Sequence, residues 1–307
     1  MANTRILVIG RNGQVGWELC HRLACFGRVT AVDFPDIDFS NPESIRTVVR
    51  AAEPTVIVNA AAYTAVDKAE SAPEIATAIN GTGPGVLAEE AKRLGSVLVH
   101  YSTDYVFDGT KDGAYVETDT PCPINVYGES KLAGDMAIES AGGDYLILRT
   151  SWVYGARGGN FLLTMLRLAQ ERPELQIVDD QIGSPTTSEC IAQATSMILA
   201  QILAPGGGGL NGRSGIYNLT SAGETSWFGF AKALLTQSAE TSGATIPSLI
   251  PIKTSAFPRP AKRPANSRLS CDLLERTFGV KMPDWEDALS LVLDTLKEGA
   301  GAQSPKG

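Results

Sequence analysis

Three glycines closing the first apolar run, Ile6-Leu-Val-Ile-Gly10-Arg-Asn-Gly13-Gln-Val-Gly16, constrain this chain more than any other feature. The run has strand character, and a helical pattern through Trp17, Glu18, Leu19 and Leu23 carries the chain onward. Glycines so placed allow a tight turn, close approach of backbone to a pyrophosphate, and close packing of helix on strand. A phosphate at that turn meets free N–H groups and the positive end of the helix. The spacing is G-x-x-G-x-x-G rather than G-x-G-x-x-G, and glycine triplets also occur in ordinary turns. Its position after the first strand decides for a dinucleotide-binding turn. Asp33 ends the second apolar run, where an acid holds the adenosine ribose in NAD enzymes. Arg11 suits a 2′-phosphate instead, so both NADH and NADPH stay open.

The first half alternates short apolar runs with helical patterns. Strands are expected at 4–9, 28–32, 55–59, 96–101 and 144–149, and helices near 14–26, 41–52, 67–93 and 128–141. Such alternation predicts βαβ units and an α/β fold with a parallel sheet covered on both faces. Beyond residue 152 the pattern gives helices at 159–171, 188–203, 225–238, 271–278 and 285–298, with strands near 175–178, 215–219 and 249–252. Pro205-Gly-Gly-Gly-Gly209 reads as a flexible loop and Gly299 to Gly307 as a disordered tail. The expected division is residues 1–152 for the dinucleotide, with segments near 175–203 returning to it, and 153–298 mainly for the substrate.

In that setting Tyr127-Gly-Glu-Ser-Lys131 acquires chemical meaning. A Tyr and a Lys four apart share one helix face. An ammonium beside a phenol lowers the phenol pKa from about 10, and a Tyr so tuned can pass a proton to or from a carbonyl oxygen. On its own the pair is more often a solvated helix face; beside the glycine turn it reads as hydride-transfer chemistry. Ser102-Thr103-Asp104-Tyr105 follows the fourth strand, where a hydroxyl would reach the same carbonyl. Asn59-Ala-Ala-Ala-Tyr63-Thr64 follows the third, with small residues that let a cofactor lie on the backbone. Trp152 follows the fifth as a wall of a substrate pocket. Arg263-Pro-Ala-Asn266-Ser-Arg268 is a proline-stiffened loop whose guanidiniums suit a diphosphate.

Composition narrows the partners. A formal net charge of −8 argues against nucleic acid or an anionic membrane, and no apolar stretch approaches the roughly 20 residues that span a bilayer. Two histidines, His21 and His100, leave little for a histidine metal site or triad; both sit in positions of structural character. Five scattered cysteines without a C-x-x-C pair fit a reducing cytoplasm.

Several segments together carry a resemblance: Gly13-Gln-Val-Gly-Trp-Glu-Leu19, Val58-Asn-Ala-Ala-Ala-Tyr-Thr-Ala-Val-Asp-Lys-Ala-Glu70, His100-Tyr-Ser-Thr-Asp-Tyr-Val-Phe107, Asn125-Val-Tyr-Gly-Glu-Ser-Lys-Leu-Ala-Gly134, Arg149-Thr-Ser-Trp-Val-Tyr154 and Arg263-Pro-Ala-Asn-Ser-Arg-Leu269. Over nearly its whole length the chain resembles the extended short-chain dehydrogenase/reductases, and among them the dTDP-4-dehydrorhamnose reductase family. The resemblance implies a Rossmann-type doubly wound parallel sheet with a smaller C-terminal α/β substrate domain. It also implies NAD(P)H-dependent reduction of the 4-keto group of dTDP-6-deoxy-L-lyxo-4-hexulose to dTDP-L-rhamnose. Thr103, Tyr127 and Lys131 match the catalytic trio. Gly10, Arg11, Gly13, Gln14, Val15, Asp38, Phe39, Ala60, Ala61 and Tyr63 match cofactor-lining positions, and Val66, Asp104, Tyr105, Trp152 and Asn266 match positions for the sugar nucleotide. Glu18 and Glu189 match two positions that hold Mg²⁺ in dimers of some relatives, but Asp294-Thr295 departs from the third; metal and homodimer stay open. Two other readings stand beside the reductase. A nucleotide-sugar epimerase or dehydratase shares the fold and the Tyr/Lys pair but retains its nicotinamide. A non-catalytic regulatory subunit could dispense with Tyr127 and Lys131, which this chain keeps.

Overall fold

Alternation along the early strands produces two apolar faces, and the architecture follows from covering both. The computed structural model describes residues 4–204 and 209–301. Its central sheet contains β1 (Arg5–Ile9), β2 (Arg28–Val32), β3 (Val56–Asn59), β4 (Val97–Thr103) and β5 (Tyr145–Thr150). A sixth strand, Gly215–Asn218, pairs with β5, giving the order Gly215–Asn218, β5, β4, β3, β1, β2, with every pair parallel. Register puts Ile9 opposite Asn59, Asn59 opposite His100, and Thr103 opposite Thr150, so the carboxyl ends finish together.

The helices are α1 (Gln14–Arg22), α2 (Pro42–Ala52), α3 (Val66–Ala69), α4 (Pro73–Thr77), α5 (Gly83–Leu94), α6 (Val126–Ala141), α7 (Phe161–Glu171), α8 (Ser188–Leu203), α9 (Trp227–Ser242), α10 (Asp272–Phe278) and α11 (Trp285–Gly301). Ile6, Val8, Val58, Val99 and Leu148 face Leu19 of α1, Ile191, Ile198 and Leu199 of α8, and Leu274 and Phe278 of α10. Leu7, Ile9, Ile57, Leu98 and Ile147 face Ile45 and Val49 of α2, Leu87 and Ala91 of α5, and Ile138 of α6. Each such buried Val, Leu or Ile side chain contributes roughly 1.5–3 kcal/mol. A third core joins Leu162 of α7, Phe230 and Leu234 of α9, and Trp285 and Leu289 of α11 around Tyr154. Strands Glu174–Val178 and Ser248–Ile252, parallel to each other, flank it.

The sheet and its two helical layers are those expected of an α/β chain, with two corrections. The single helix anticipated over 67–93 is four pieces: α3, α4, a π-helical turn at Ala78–Thr82, and α5. Pro73 and Pro84 each stand in the first turn of a piece, because a proline lacks the N–H that a helix interior needs. The tail expected from Gly299 begins as helix, since α11 runs to Gly301; residues 302–307 lie outside the described residues, as do 205–208 of the glycine loop.

Candidate active site

A cleft of about 600 Å³ opens at the carboxyl ends of the sheet, where an open α/β sheet presents its loops. Gly10 has φ +87°, and a Cβ there would lie 2.6 Å from Ala61 N. A Cβ on Gly16 would stand 1.9 Å from Gly10 O, so α1 packs on the turn only because that side chain is absent. Gly13 caps α1 without a side-chain hydrogen bond, and the first turn carries no acid. The amides of that turn are thereby left for a ligand anion, and the cradle fits a dinucleotide. Gly10, Gly13, Gln14, Val15, Asp38, Phe39, Ala60 and Ala61 all line the cleft, together with Tyr127 and Lys131.

Arg11 and Tyr63 do not line it. Arg11 donates to Ala31 O at 2.8 Å and pairs with Asp36 at 3.0 Å. Tyr63 contributes backbone, donating N–H to Asn80 Oδ1 and accepting from Asn80 Nδ2. Asp33 lies on the cleft wall, its carboxylate taking the N–H groups of Asn12 at 2.9 Å and Phe34 at 2.8 Å. The cleft also takes Val153, Gly158 and Gly159 from beyond residue 152. Asn160 brings them there by donating to Gln14 Oε1 at 2.9 Å, a contact across 146 residues that no local pattern encodes.

Tyr127 and Lys131 sit on α6, whose cap Asn125 accepts from Gly128 N at 2.7 Å. Tyr127 is half-buried and meets Tyr105 edge-on, ring centres 5.6 Å apart. Burial holds its phenol above the usual tyrosine range; the Thr103 hydroxyl acts against this, and the Asp104 and Asp135 carboxylates add to it. The expectation that Lys131 lowers Tyr127 is therefore corrected. Lys131, 1% exposed, gives its Nζ protons to Tyr101 O at 2.6 Å and faces His100 Nε2 at 3.1 Å. A buried amine satisfies itself on a nearby acceptor, here the Tyr101 carbonyl, and Lys131 is not among the groups acting on the phenol. Burial also pushes Lys131 itself down to about 8, with Asp135 acting against it.

Thr103 donates to Asp104 Oδ1 at 3.0 Å and accepts from Tyr105 N. Asp104 is 3% exposed, and burial lifts its carboxyl to about 7 against the pull of the Ser267 and Thr103 hydroxyls. Trp152 adopts φ +48° and stacks on Trp227 with ring centres 3.6 Å apart. Val66 opens α3, and its neighbour Asp67 clasps Arg263 through two hydrogen bonds of 3.0 Å, which hold Asp67 below the usual carboxylate range. Arg263 is thus already paired, 196 residues from its partner, rather than free for a diphosphate. Asn266 is a loop organiser: it donates to Lys111 O and Gly113 O and accepts from Arg268.

Glu18 and Glu189 lie close enough that Glu189 helps burial to raise the Glu18 pKa. Glu189 is taken by Arg22 at 2.5 Å, and no cluster of three His, Cys, Asp or Glu side chains forms among the described residues. A guanidinium standing on one of two carboxylates does not fit a divalent cation, so the Mg²⁺ expectation finds no ligand set.

The family described as "RmlD substrate binding domain" matches residues 4–298. A dTDP-4-dehydrorhamnose reductase of Burkholderia thailandensis is 50% identical over 295 residues, covering 95% of this chain and 99% of that protein. A crystal structure of a dTDP-4-dehydrorhamnose reductase from Clostridium acetobutylicum superposes with a TM-score of 0.87 at 34% identity, covering 95% of this chain and 99% of that one. One from Bacillus anthracis, in complex with NADP, gives 0.86 at 33% identity, covering 96% and 100%.

Proposed function

The chain belongs to the RmlD substrate binding domain family, and from that membership we propose that it reduces the 4-keto group of dTDP-6-deoxy-L-lyxo-4-hexulose to dTDP-L-rhamnose with NADPH or NADH. The observation that carries this reading is that Tyr127 and Lys131 open into the same cleft as the glycine turn. The residues around Gly10, Gly13, Gln14, Asp33 and Ala60 would hold the coenzyme, which supplies the hydride when bound. The second half of the chain, with Trp152, Tyr105 and the Asp67–Arg263 clasp at its border, would receive the sugar nucleotide, and the enzyme would work in the cytoplasm.

The elevated Tyr127 pKa suits this direction of reaction. Reduction creates an alkoxide, and the residue beside it must carry a proton to give. Burial keeps the Tyr127 hydroxyl protonated in the resting protein. Thr103, by turning its single hydroxyl proton away from Asp104 Oδ1, would steady the same oxygen. Lys131, which lines the same cleft, would hold the nicotinamide ribose.

Absorbance of NADPH or NADH, followed with the 4-keto sugar generated in place and the product identified, tests the reading. Tyr127→Phe should lower turnover by about 10²–10⁴-fold, the usual share of a positioned acid, while coenzyme affinity persists. Full turnover in that variant would refute the assignment of the acid.

A further inference from the structure

Three fully buried or nearly buried polar side chains lie under the cleft, joined in a line whose direction the geometry fixes. The backbone N–H of Ala61 can only donate, and it meets Asn59 Oδ1 at 3.1 Å. The other end of that amide, Nδ2, therefore faces His100 Nδ1 at 3.0 Å. An amide NH₂ only donates, so Nδ1 must accept. His100 is 0% exposed, and burial leads in keeping it neutral by pushing its pKa well below the ordinary value. A neutral imidazole with a bare Nδ1 carries its proton on Nε2. That N–H points at Lys131 Nζ, 3.1 Å away.

An ammonium has three protons and no lone pair, so it cannot receive this N–H. A free amine can, while still donating to Tyr101 O at 2.6 Å. The sheet register builds the arrangement, since Asn59 and His100 are direct neighbours on β3 and β4. The charged groups facing it are Asp135, on Lys131's own helix and paired with Arg149 of β5, and Tyr127 one turn earlier, itself facing Asp104. Asp135 favours the ammonium; burial opposes it.

We propose that Asn59 and His100 form a proton-directing base beneath Lys131, in which His100 offers its Nε2–H to the free amine and must switch tautomer for Lys131 to become an ammonium. His100 is then a positioning residue acting through Lys131. Its switch has a second consequence: an Nδ1–H would face Asn59 Nδ2, so the amide must turn. Turning releases the Ala61 N–H, which borders the cleft against Gly10. Charging Lys131 and freeing a cleft amide become one event.

The chain has two histidines, so His21→Asn leaves His100 as the single imidazole. A nitrogen–proton correlation spectrum of that coenzyme-free protein reads the tautomer directly. Above the Lys131 titration we expect Nε2–H. Lowering the pH should move the population toward Nδ1–H with one midpoint. In Lys131→Met, where Asn59 alone directs the ring, Nε2–H should persist at every pH. Nδ1–H at high pH, a tautomer insensitive to pH, or an identical response in Lys131→Met would overturn the proposal. The proposal rests on the reductase reading only for its kinetic consequence, a turnover that falls as pH rises through that midpoint. Because the spectrum needs no turnover, failure of the tautomer and failure of the reductase reading are separable.

Discussion

We propose that Asp33 is the single side chain that sets coenzyme choice. Its carboxylate is fixed by two backbone N–H groups at the rim of the cleft, so it cannot swing away from an incoming ligand. A ribose hydroxyl can donate to it; a 2′-phosphate meets like charge. Arg11, the residue that could have answered the phosphate, is turned to Ala31 O and Asp36. Asp33→Asn should therefore raise the affinity for NADPH relative to NADH, by about tenfold if one charge repulsion of roughly 1.4 kcal/mol is relieved. Fluorescence titration with each coenzyme measures it, and an unchanged ratio would remove Asp33 from the ribose site. At this scale the sequence was half legible. The glycine turn, Tyr127 and Lys131 announce themselves through short spacings. The partners that decide their chemistry come from 17 to 196 residues away: Asn80 on Tyr63, His100 on Lys131, and Asp67 on Arg263. Such pairings follow from sheet register and packing, which no local pattern contains.

Elements were read better than their joints. Strand positions followed from apolar runs bounded by turn residues, and helices from the patterns between them; at the start of α2, Asn41 accepts from Glu43 N. The segment 67–93 misled because its apolar periodicity spans two prolines, and the prolines won. One joint between elements can be tested by pH. Glu90 of α5 is 3% exposed and accepts from Arg50 of α2 and from Arg93. The Arg50 hydrogen bond leads in holding its carboxyl below the usual range, against burial, with Arg93 assisting. A carboxyl whose folded pKa is depressed contributes stability that is complete above its unfolded value and is lost as pH falls through the folded one. Glu90→Gln should lower the Tm at neutral pH, and the gap from wild type should close on acidification below about pH 4. A gap that is constant with pH would mean the ion pairs do not fasten α2 to α5.

At the scale of the whole molecule, chain order and spatial order disagree. The first face of the sheet is covered partly by α8 and α10, and the sixth strand of the sheet is Gly215–Asn218. Anything emerging in order from a ribosome would display Ile6, Val8, Val58, Val99 and Leu148 long before Ile198, Leu199, Leu274 and Phe278 exist to cover them. An uncovered apolar surface of that kind invites association. A fragment ending at residue 152 should accordingly be collapsed and aggregation-prone, without cooperative melting, and should recover a sharp transition when residues 153–307 are added in trans. A fragment that melts sharply alone would show that the late elements are decoration. If they are not, the nascent chain must wait, with half its coenzyme-binding layer finished and one side only partly covered, until its last helices leave the exit tunnel; a chaperone that shields that side during synthesis would govern how much active protein a cell obtains.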